Sequence, residues 1–263
     1  MTTGGPEQAV TTEALRLVEF AQARGVALRV VGGVAVALHT QGELHPALRR
    51  PYRDIDLVTT RKRDREALKV LVAAGYESNE RFNSMAGVHN RLVVYDNANG
   101  RQLDVFVGEL RMCHALSFER LEVDSPTVPL AELLVTKLQI VRMNEKDVQD
   151  IVAILLEHPV GEVDHETVNA GRVAELCAAD WGLWRTTRGS LEFARAGLER
   201  LALEEGERQL VRGRLDELWE RIERAPKSMR FKARARVGDR TRWYEEPDEI
   251  EHRELGGEAD QVA

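Results

Sequence analysis

The chain has 263 residues, of which 43% are hydrophobic and 31% charged, and its formal net charge is -7. This length allows one large domain or two smaller ones. The acidic net charge argues against a protein that coats nucleic acid through general positive charge, although the chain can still contain a local basic patch. The two cysteines lie far apart in the sequence, which predicts a reducing compartment and no disulfide. Because we see no leader-like N-terminus and no apolar run of membrane-spanning length, we expect a cytoplasmic protein without a membrane partner.

The first elements of the chain predict a helix packed on a sheet. Apolar residues at helical spacing indicate a helix over 7–24, and a strand is expected over 27–31. This strand ends at Gly32-Gly33, where a second helix begins over 34–40. Glycines allow close backbone approach, and the first amides of a helix face an anion, so the arrangement is compatible with a phosphate cradle. Glycine pairs are also common at strand ends without any ligand.

The next strand, 54–59, alternates polar and apolar residues. Asp54 and Asp56 are therefore expected on one face, with Ile55 and Leu57 directed into a core on the other. Two neighbouring carboxylates repel each other unless a cation lies between them, and magnesium prefers such oxygen ligands and bridges to phosphates. The alternative is an edge strand with two solvated acids.

A helix over 63–74 is followed by an antiparallel hairpin. Strands are predicted over 91–95 and 102–107, with Asn99-Gly100 at the turn between them. Asp104 is a lone acid inside the second, apolar strand. An unpaired buried charge is costly, so Asp104 either has a compensating partner or faces solvent on a half-exposed strand.

From position 130 onwards helices dominate. A strand-like segment at 121–123 precedes this change, and we place a domain boundary near Val128. Helices are predicted over 130–142, 145–157, 165–178, 183–203 and 208–224. The first of them has a continuous apolar face that only Lys137 interrupts, so this lysine needs a partner or must reach water along its stem.

These patterns together predict an α/β fold. Residues 1–127 would form a mixed sheet flanked by helices, and residues 128–225 an all-helical domain. Residues 226–263 carry cations interleaved with Phe231, Trp243 and Tyr244, followed by an acidic run. Opposite charge blocks predict a disordered tail, whereas aromatic residues among cations can contact single-stranded nucleic acid.

Five residues, taken in order, carry a resemblance to a known superfamily: Gly32, Gly33, Asp54, Asp56 and Asp104. Their pattern resembles that of the polymerase-beta-type nucleotidyltransferases. The closer resemblance is to AbiEii-type and MenT-like nucleotidyltransferases, many of which are toxins of toxin-antitoxin systems. It covers roughly residues 27–157 and rests on the following segments: GGVA at 32–35 with Leu38-His39, RDIDL at 53–57, LLVTKL at 133–138 leading to Arg142, Lys146-Asp147 and Asp150-Ile151.

Two features depart from the pattern of this family. Gly33 stands where many members have a serine, which removes a hydroxyl that could bind a phosphate oxygen. The span from Gly33 to Asp54 is longer than in the minimal form of the superfamily, so the connector is a candidate specificity loop.

The resemblance implies transfer of a nucleoside monophosphate from an NTP to an acceptor hydroxyl or phosphate, with release of pyrophosphate. Two Mg²⁺ ions would be held by Asp54, Asp56 and Asp104, and Asp104 could also accept the proton of the attacking hydroxyl. The nucleotide would be bound by Gly32, Gly33, Arg53 and Lys137. Asp147 and Asp150 would orient Lys137 or the acceptor, although both are also ordinary acids near a helix N-terminus.

The acceptor implied by a toxin-like enzyme is a tRNA 3′ end or a protein side chain, and a cognate antitoxin would be a partner. Two alternatives remain open. One is an antibiotic-modifying nucleotidyltransferase, and the other is a catalytically silent nucleotide-binding or antitoxin-like module. A hydrolase is not indicated, because His39, His45, His89 and His114 show no nucleophile or metal-ligand spacing.

Overall fold

The computed structural model describes residues 5–40, 44–85 and 90–246. Its main sheet has five strands in the order β1-β2-β5-β4-β3. The strands are β1 (Leu28–Val31), β2 (Ile55–Thr59), β3 (Glu77–Ser78), β4 (Arg91–Asp96) and β5 (Arg101–Val107). Only the β2–β5 pair is parallel, so the sheet is mixed, as predicted.

The register of the three central strands brings the predicted acids together. Val31, the last residue of β1, is opposite Asp56 on β2, and Asp56 is in turn opposite Asp104 on β5. On the other side of β5, Asp104 is opposite Val93 of β4. The end of β1, where the glycine pair begins, therefore lies beside both acids.

Helices flank this sheet. Those of the first part are α1 (Val10–Gln22), α2 (Gly32–His39), α3 (Asp64–Ala73) and the short α4 (Glu80–Asn83). Helix α1 buries Ala14, Leu17, Val18 and Ala21, which is the apolar face that the sequence predicts. The α/β class with helices around a mixed sheet is confirmed.

The second part of the chain is mostly helical. Its helices are α5 (Leu130–Leu138), α6 (Glu145–Glu157), α7 (Ala170–Ala179), α8 (Trp181–Leu198), α9 (Glu205–Arg224) and α10 (Met229–Val237). A connected set of buried apolar side chains extends from Ala14 in α1 to Ile222 in α9. Both parts of the chain contribute to this one core. The core therefore does not mark a domain boundary near Val128, and that boundary stays a prediction.

Two details of the strand prediction were wrong. Residues 121–123 form turns, with Leu121 buried at their start, and are not a strand. Short strands were missed: β6 (Glu109–Arg111) pairs with β7 (Ala115–Ser117), and β8 (Val160–Gly161) pairs with β9 (Val168–Asn169) inside the part expected to be all-helical. Two or three residues are too few to show an alternating pattern.

The basic segment also differs from the expected disordered tail. Residues 229–237 form α10, which Ser228 caps by accepting a hydrogen bond from the amide of Phe231, and the Phe231 side chain is buried. Aromatic contacts fix this segment, because the Phe231 ring lies edge-on to Trp184 at 5.6 Å between centroids. The end of the predicted tail, 247–263, lies outside the described residues. Across the described ranges, no helix combines the length and the apolar character needed to cross a membrane.

Candidate active site

The glycine turn lies directly against the second aspartate of the DID sequence. Gly32 has φ +76°, and a Cβ added there would lie 2.5 Å from Oδ2 of Asp56. Both the backbone conformation and the close approach therefore require glycine at this position. Helix α2 begins at Gly32, so its first amides, which have no partner within the helix, lie beside the Asp56 carboxylate.

Asp56 is the least compensated acid of this region. It lies opposite Asp104, and its side chain forms neither a hydrogen bond nor an ion pair with any residue in the described part of the chain. Burial, followed by the charge of Asp104, raises the pKa of Asp56 to about 7, although the cation of Lys137 acts in the opposite direction. An acid with such a perturbed pKa and no structural partner is typical of a functional site.

Asp104 has a protein partner, which the sequence left open. Arg91 on β4 binds it in a bidentate manner, with Nε 2.9 Å from Oδ1 and Nη2 2.7 Å from Oδ2. Gln102 adds longer bonds of 3.4 and 3.3 Å. The Asp104 side chain is only 5% exposed, so the solvent-facing alternative is wrong and the buried charge is compensated by Arg91.

Asp54 and Arg53 precede β2 and are exposed. Within the described ranges, neither side chain forms a hydrogen bond or an ion pair. Asp54 lies close enough to Asp56 for its charge to raise the pKa of that group. Both residues are accordingly free to meet a ligand, and the structure gives Arg53 no other role.

Lys137 has a buried anionic partner, Asp150. Nζ of Lys137 lies 2.7 Å from Oδ2 of Asp150, which is 2% exposed. Asp150 also accepts two bonds from Nη2 of Arg50, at 2.8 and 2.9 Å, and one from its Nε at 3.1 Å. One carboxylate on α6 thus holds a lysine from α5 and an arginine from the connector that leads to β2.

The same arginine explains the second glycine. A Cβ at Gly33 would overlap the guanidinium of Arg50 and would lie 3.0 Å from the ring of Tyr52, and Arg50 stacks over that ring at 4.5 Å. A serine at this position would therefore collide with Arg50. The departure from the family pattern at Gly33 is accompanied by a cation in the space that the serine side chain would need.

Asp147 serves the N-terminus of α6. Its Oδ2 accepts a bond of 3.0 Å from the amide of Asn144, and the Asn144 side chain accepts bonds from the amides of Lys146 and Asp147. This reciprocal pair is a capping box. Burial raises the pKa of Asp147, and the Lys137 charge opposes that shift without a direct bond between the two side chains. Asp150, rather than Asp147, orients Lys137.

A metal site can be tested against these donors. Among the described residues, no group of three His, Cys, Asp or Glu is arranged so that it could hold a metal ion. Asp54 and Asp56 nevertheless suit a divalent ion, since both lack protein partners and Asp56 carries a charge that a cation would stabilise. Asp104 could join them only after Arg91 releases it. The predicted role of Asp104 as a metal ligand stays a prediction.

Arg50 and Arg91 were not predicted as site residues. The hairpin turn at Asn99-Gly100 fixes the β4–β5 register, so Arg91 could have been identified as a diagonal neighbour of Asp104. Asp150 lies on the buried face of α6, which signals a need for a cation, but nothing in the sequence indicates that Arg50 supplies it.

Cavity size does not locate this site. A cleft of about 970 Å³ lies at the β3 edge of the sheet, lined by Gly75, Tyr95 and Asn97 among others, and it contains none of the candidate acids.

No protein-family model matches the chain, and a search of curated proteins gives no match either. The resemblance to nucleotidyltransferases is therefore carried forward as a proposal.

Proposed function

We propose that this protein is a magnesium-dependent nucleotidyltransferase, which transfers a nucleoside monophosphate from an NTP to an acceptor hydroxyl or phosphate. The observation that carries this proposal is the environment of Asp56. This acid has no partner among the described residues and lies against the Gly32 turn, with Asp104 opposite it and the charge of Lys137 nearby.

The residues have distinct roles in this proposal. Asp54 and Asp56 hold magnesium, and Asp104 is the third acid, which becomes available when Arg91 releases it. Bound magnesium supplies Lewis acidity that activates the attacking hydroxyl and steadies the pyrophosphate. The free amides at the start of α2 face the triphosphate, since a helix N-terminus favours anions.

Lys137 provides the positive charge for the phosphates. Asp150 fixes the ammonium group at 2.7 Å, and Arg50 supports Asp150 from the other side. Arg50 also lies over Gly33, where the family pattern has a serine, so we assign phosphate binding at this position to the guanidinium. In the same proposal, Arg53 contacts the nucleotide, and the helices after position 128 form the second wall of the cleft. The protein acts in the cytoplasm.

The proposal is tested with Asp56→Asn. We expect labelled nucleotide transfer, in the presence of Mg²⁺ and each NTP in turn, to fall at least about 100-fold, because a direct metal ligand matters more than the outer partners of a site. Total cellular RNA, protein and small-molecule fractions serve as acceptors. Asp64→Asn is the matched control, since Asp64 lies in the first turn of α3 without an ion pair among the described residues. Transfer at the wild-type rate by Asp56→Asn would refute the assignment.

A second candidate is a catalytically silent nucleotide-binding module. The bidentate Arg91–Asp104 pair favours it, because an acid held in this way is withdrawn from metal binding. The two candidates differ in one measurement on the wild-type protein. A silent module binds Mg-NTP in calorimetry and transfers no label, whereas the enzyme does both.

A further inference from the structure

A second cleft lies where α10 and the segment after it pack on the start of α8. Its volume is about 460 Å³. Three arginines and three aromatic residues line it, and we call it the arginine–aromatic cleft: Arg230, Arg234, Arg242, Trp181, Trp243 and Tyr244. Residues 227–246 contain seven lysines and arginines against three acids, in a chain whose net charge is -7.

The cations of this cleft are only partly neutralised. Arg230 is exposed and forms no ion pair with a described residue. Arg234 stacks over Trp181 at 4.5 Å and donates to the carbonyls of Gly238 and Thr241, so it has no carboxylate partner there either. Only Arg242 has one, Glu246 at 2.7 Å. A polyanion would therefore meet at least two cations whose charge is not already satisfied by the described residues.

The two acids at the cleft are engaged elsewhere. Asp180 caps α8 by accepting a bond of 3.0 Å from the amide of Leu183. Glu245 lies 3.3 Å from Nη1 of Arg111, on the β6 strand. Neither acid forms an ion pair with the cleft arginines, so the local field remains positive.

The aromatic residues offer stacking surfaces. Trp243 and Tyr244 are half-buried, so part of each ring is open to solvent. Trp243 is held in place, because its Nε1 donates a 3.1 Å bond to the Thr186 hydroxyl and its ring is edge-on to Trp181 at 6.2 Å between centroids. A fixed ring between cations suits a nucleobase and its phosphate.

A smaller hollow adjoins the arginine–aromatic cleft. Trp243 also lines a neighbouring hollow of about 280 Å³, whose other walls include Arg142 and Ser190. Ser190 Oγ donates a 3.1 Å bond to the carbonyl of Ile140, which follows the end of α5, the helix that carries Lys137. Arg142 is exposed, and no described residue forms an ion pair with it. The arginine–aromatic cleft and this hollow therefore share Trp243, and the hollow borders the chain segment just after Lys137.

We propose that the arginine–aromatic cleft binds single-stranded nucleic acid, with phosphates on Arg230 and Arg234 and a base on Trp243. This inference deepens the proposed function, because it indicates that the acceptor is a nucleic acid. Binding of the strand is independent of the proposed function, and only the transfer of a nucleotide to the bound strand rests on it. A rigid duplex fits less well, because its bases are already stacked on each other. An anionic membrane would attract the same cations, but the half-buried Trp243 is held by Thr186 and Trp181 and so is not free to insert into a bilayer.

The test measures binding of a fluorescent single-stranded RNA of about 12 nucleotides to the full chain by anisotropy, without NTP or Mg²⁺, at about 0.05 M salt. We expect Arg230→Glu to weaken binding about tenfold and to flatten the salt dependence. Trp243→Ala should weaken it at least about fivefold. Arg65→Glu is the charge-matched control, since Arg65 is an exposed residue of α3 without an ion pair among the described residues, and we expect no change.

Three results would overturn the proposal: unchanged binding by Arg230→Glu, equal binding of a duplex of the same length, or binding only to phosphatidylserine vesicles. A single-stranded DNA of the same sequence establishes whether the sugar matters. Calorimetry of Mg-NTP binding by the same variants keeps the two proposals separate. Loss of RNA binding with intact NTP binding supports the cleft, whereas absent NTP binding by the wild-type protein refutes the enzyme and leaves the cleft unaffected.

Discussion

The half-buried Asp56 on β2 lies opposite the buried Asp104 on β5, and their surroundings differ. Asp104 has the guanidinium of Arg91, whereas Asp56 has no partner among the described residues and its pKa is raised to about 7. An uncompensated charge in a fold lowers stability unless it is neutralised or bound to a ligand. We therefore expect a bound cation to stabilise the charge of Asp56 more than that of Asp104.

The raised pKa of Asp56 gives a pH-dependent prediction for the metal-free protein. The unfolded chain ionises Asp56 near its ordinary value of 3.8, and the folded chain does so near 7, so folding is penalised increasingly as pH rises through this interval. Asp56→Asn removes the penalty. With EDTA present, we expect this variant to be about 2 kcal/mol more stable than the wild type at about pH 8, and to show no gain at about pH 4. Urea unfolding at both pH values measures the difference.

Asp104→Asn serves as the comparison, because it should have the opposite sign. It leaves Arg91 without its bidentate partner, so it should destabilise the protein at about pH 8. A stability gain for Asp56→Asn that is the same at both pH values would contradict the titration argument.

At the scale of helices and strands, the observed bounds agree best with the sequence prediction where caps and apolar patterns are strong. Helix α6 has the predicted bounds because Asn144 caps its start and buried apolar residues continue from Ile151 to Leu155. Helix α5 was expected to reach position 142 and ends at Leu138, where Gln139 is buried and accepts a bond from the amide of His114. That hydrogen bond joins distant parts of the chain, so the apolar pattern of α5 alone cannot predict it.

The capping box of α6 gives a prediction that separates structure from chemistry at Asp147. Asn144→Ala and Asp147→Ala each remove one half of the box, so each should cost about 1 kcal/mol of unfolding free energy. We expect the rate of nucleotide transfer to stay within about threefold of the wild type for both variants at a temperature where they are folded, because a cap supports the helix and touches no reacting group. Thermal unfolding and labelled transfer are the measurements.

Asn144 is the control for this comparison, because no chemical role is indicated for it. If Asp147→Ala abolished transfer while Asn144→Ala left it unchanged, Asp147 would act in the reaction as well as in the cap. The sequence alone could not distinguish these roles, since an acid in the first turn of a helix suits both.

At the scale of the whole molecule, the candidate site joins segments that are far apart in the chain. Arg50 and Asp150 are 100 positions apart, and Lys137 binds the same carboxylate from a third segment. The acids were predictable because strand alternation places them on one face. The partners of those acids were not, since they depend on how α5 and α6 pack against the connector that leads to β2.

This junction leads to the last prediction, Asp150→Ala. The change leaves Arg50 and Lys137, which are 16% and 12% exposed, without their common anion. Breaking a buried pair in this way should cost about 3–5 kcal/mol. The matched control is Asp216→Ala, which removes a surface pair with Arg195 and should cost less than about 1 kcal/mol. Urea unfolding measures both, and equal losses would contradict the argument. If the loss is confined to Asp150→Ala, the carboxylate that fixes Lys137 also holds α5 and α6 against the connector that leads to β2.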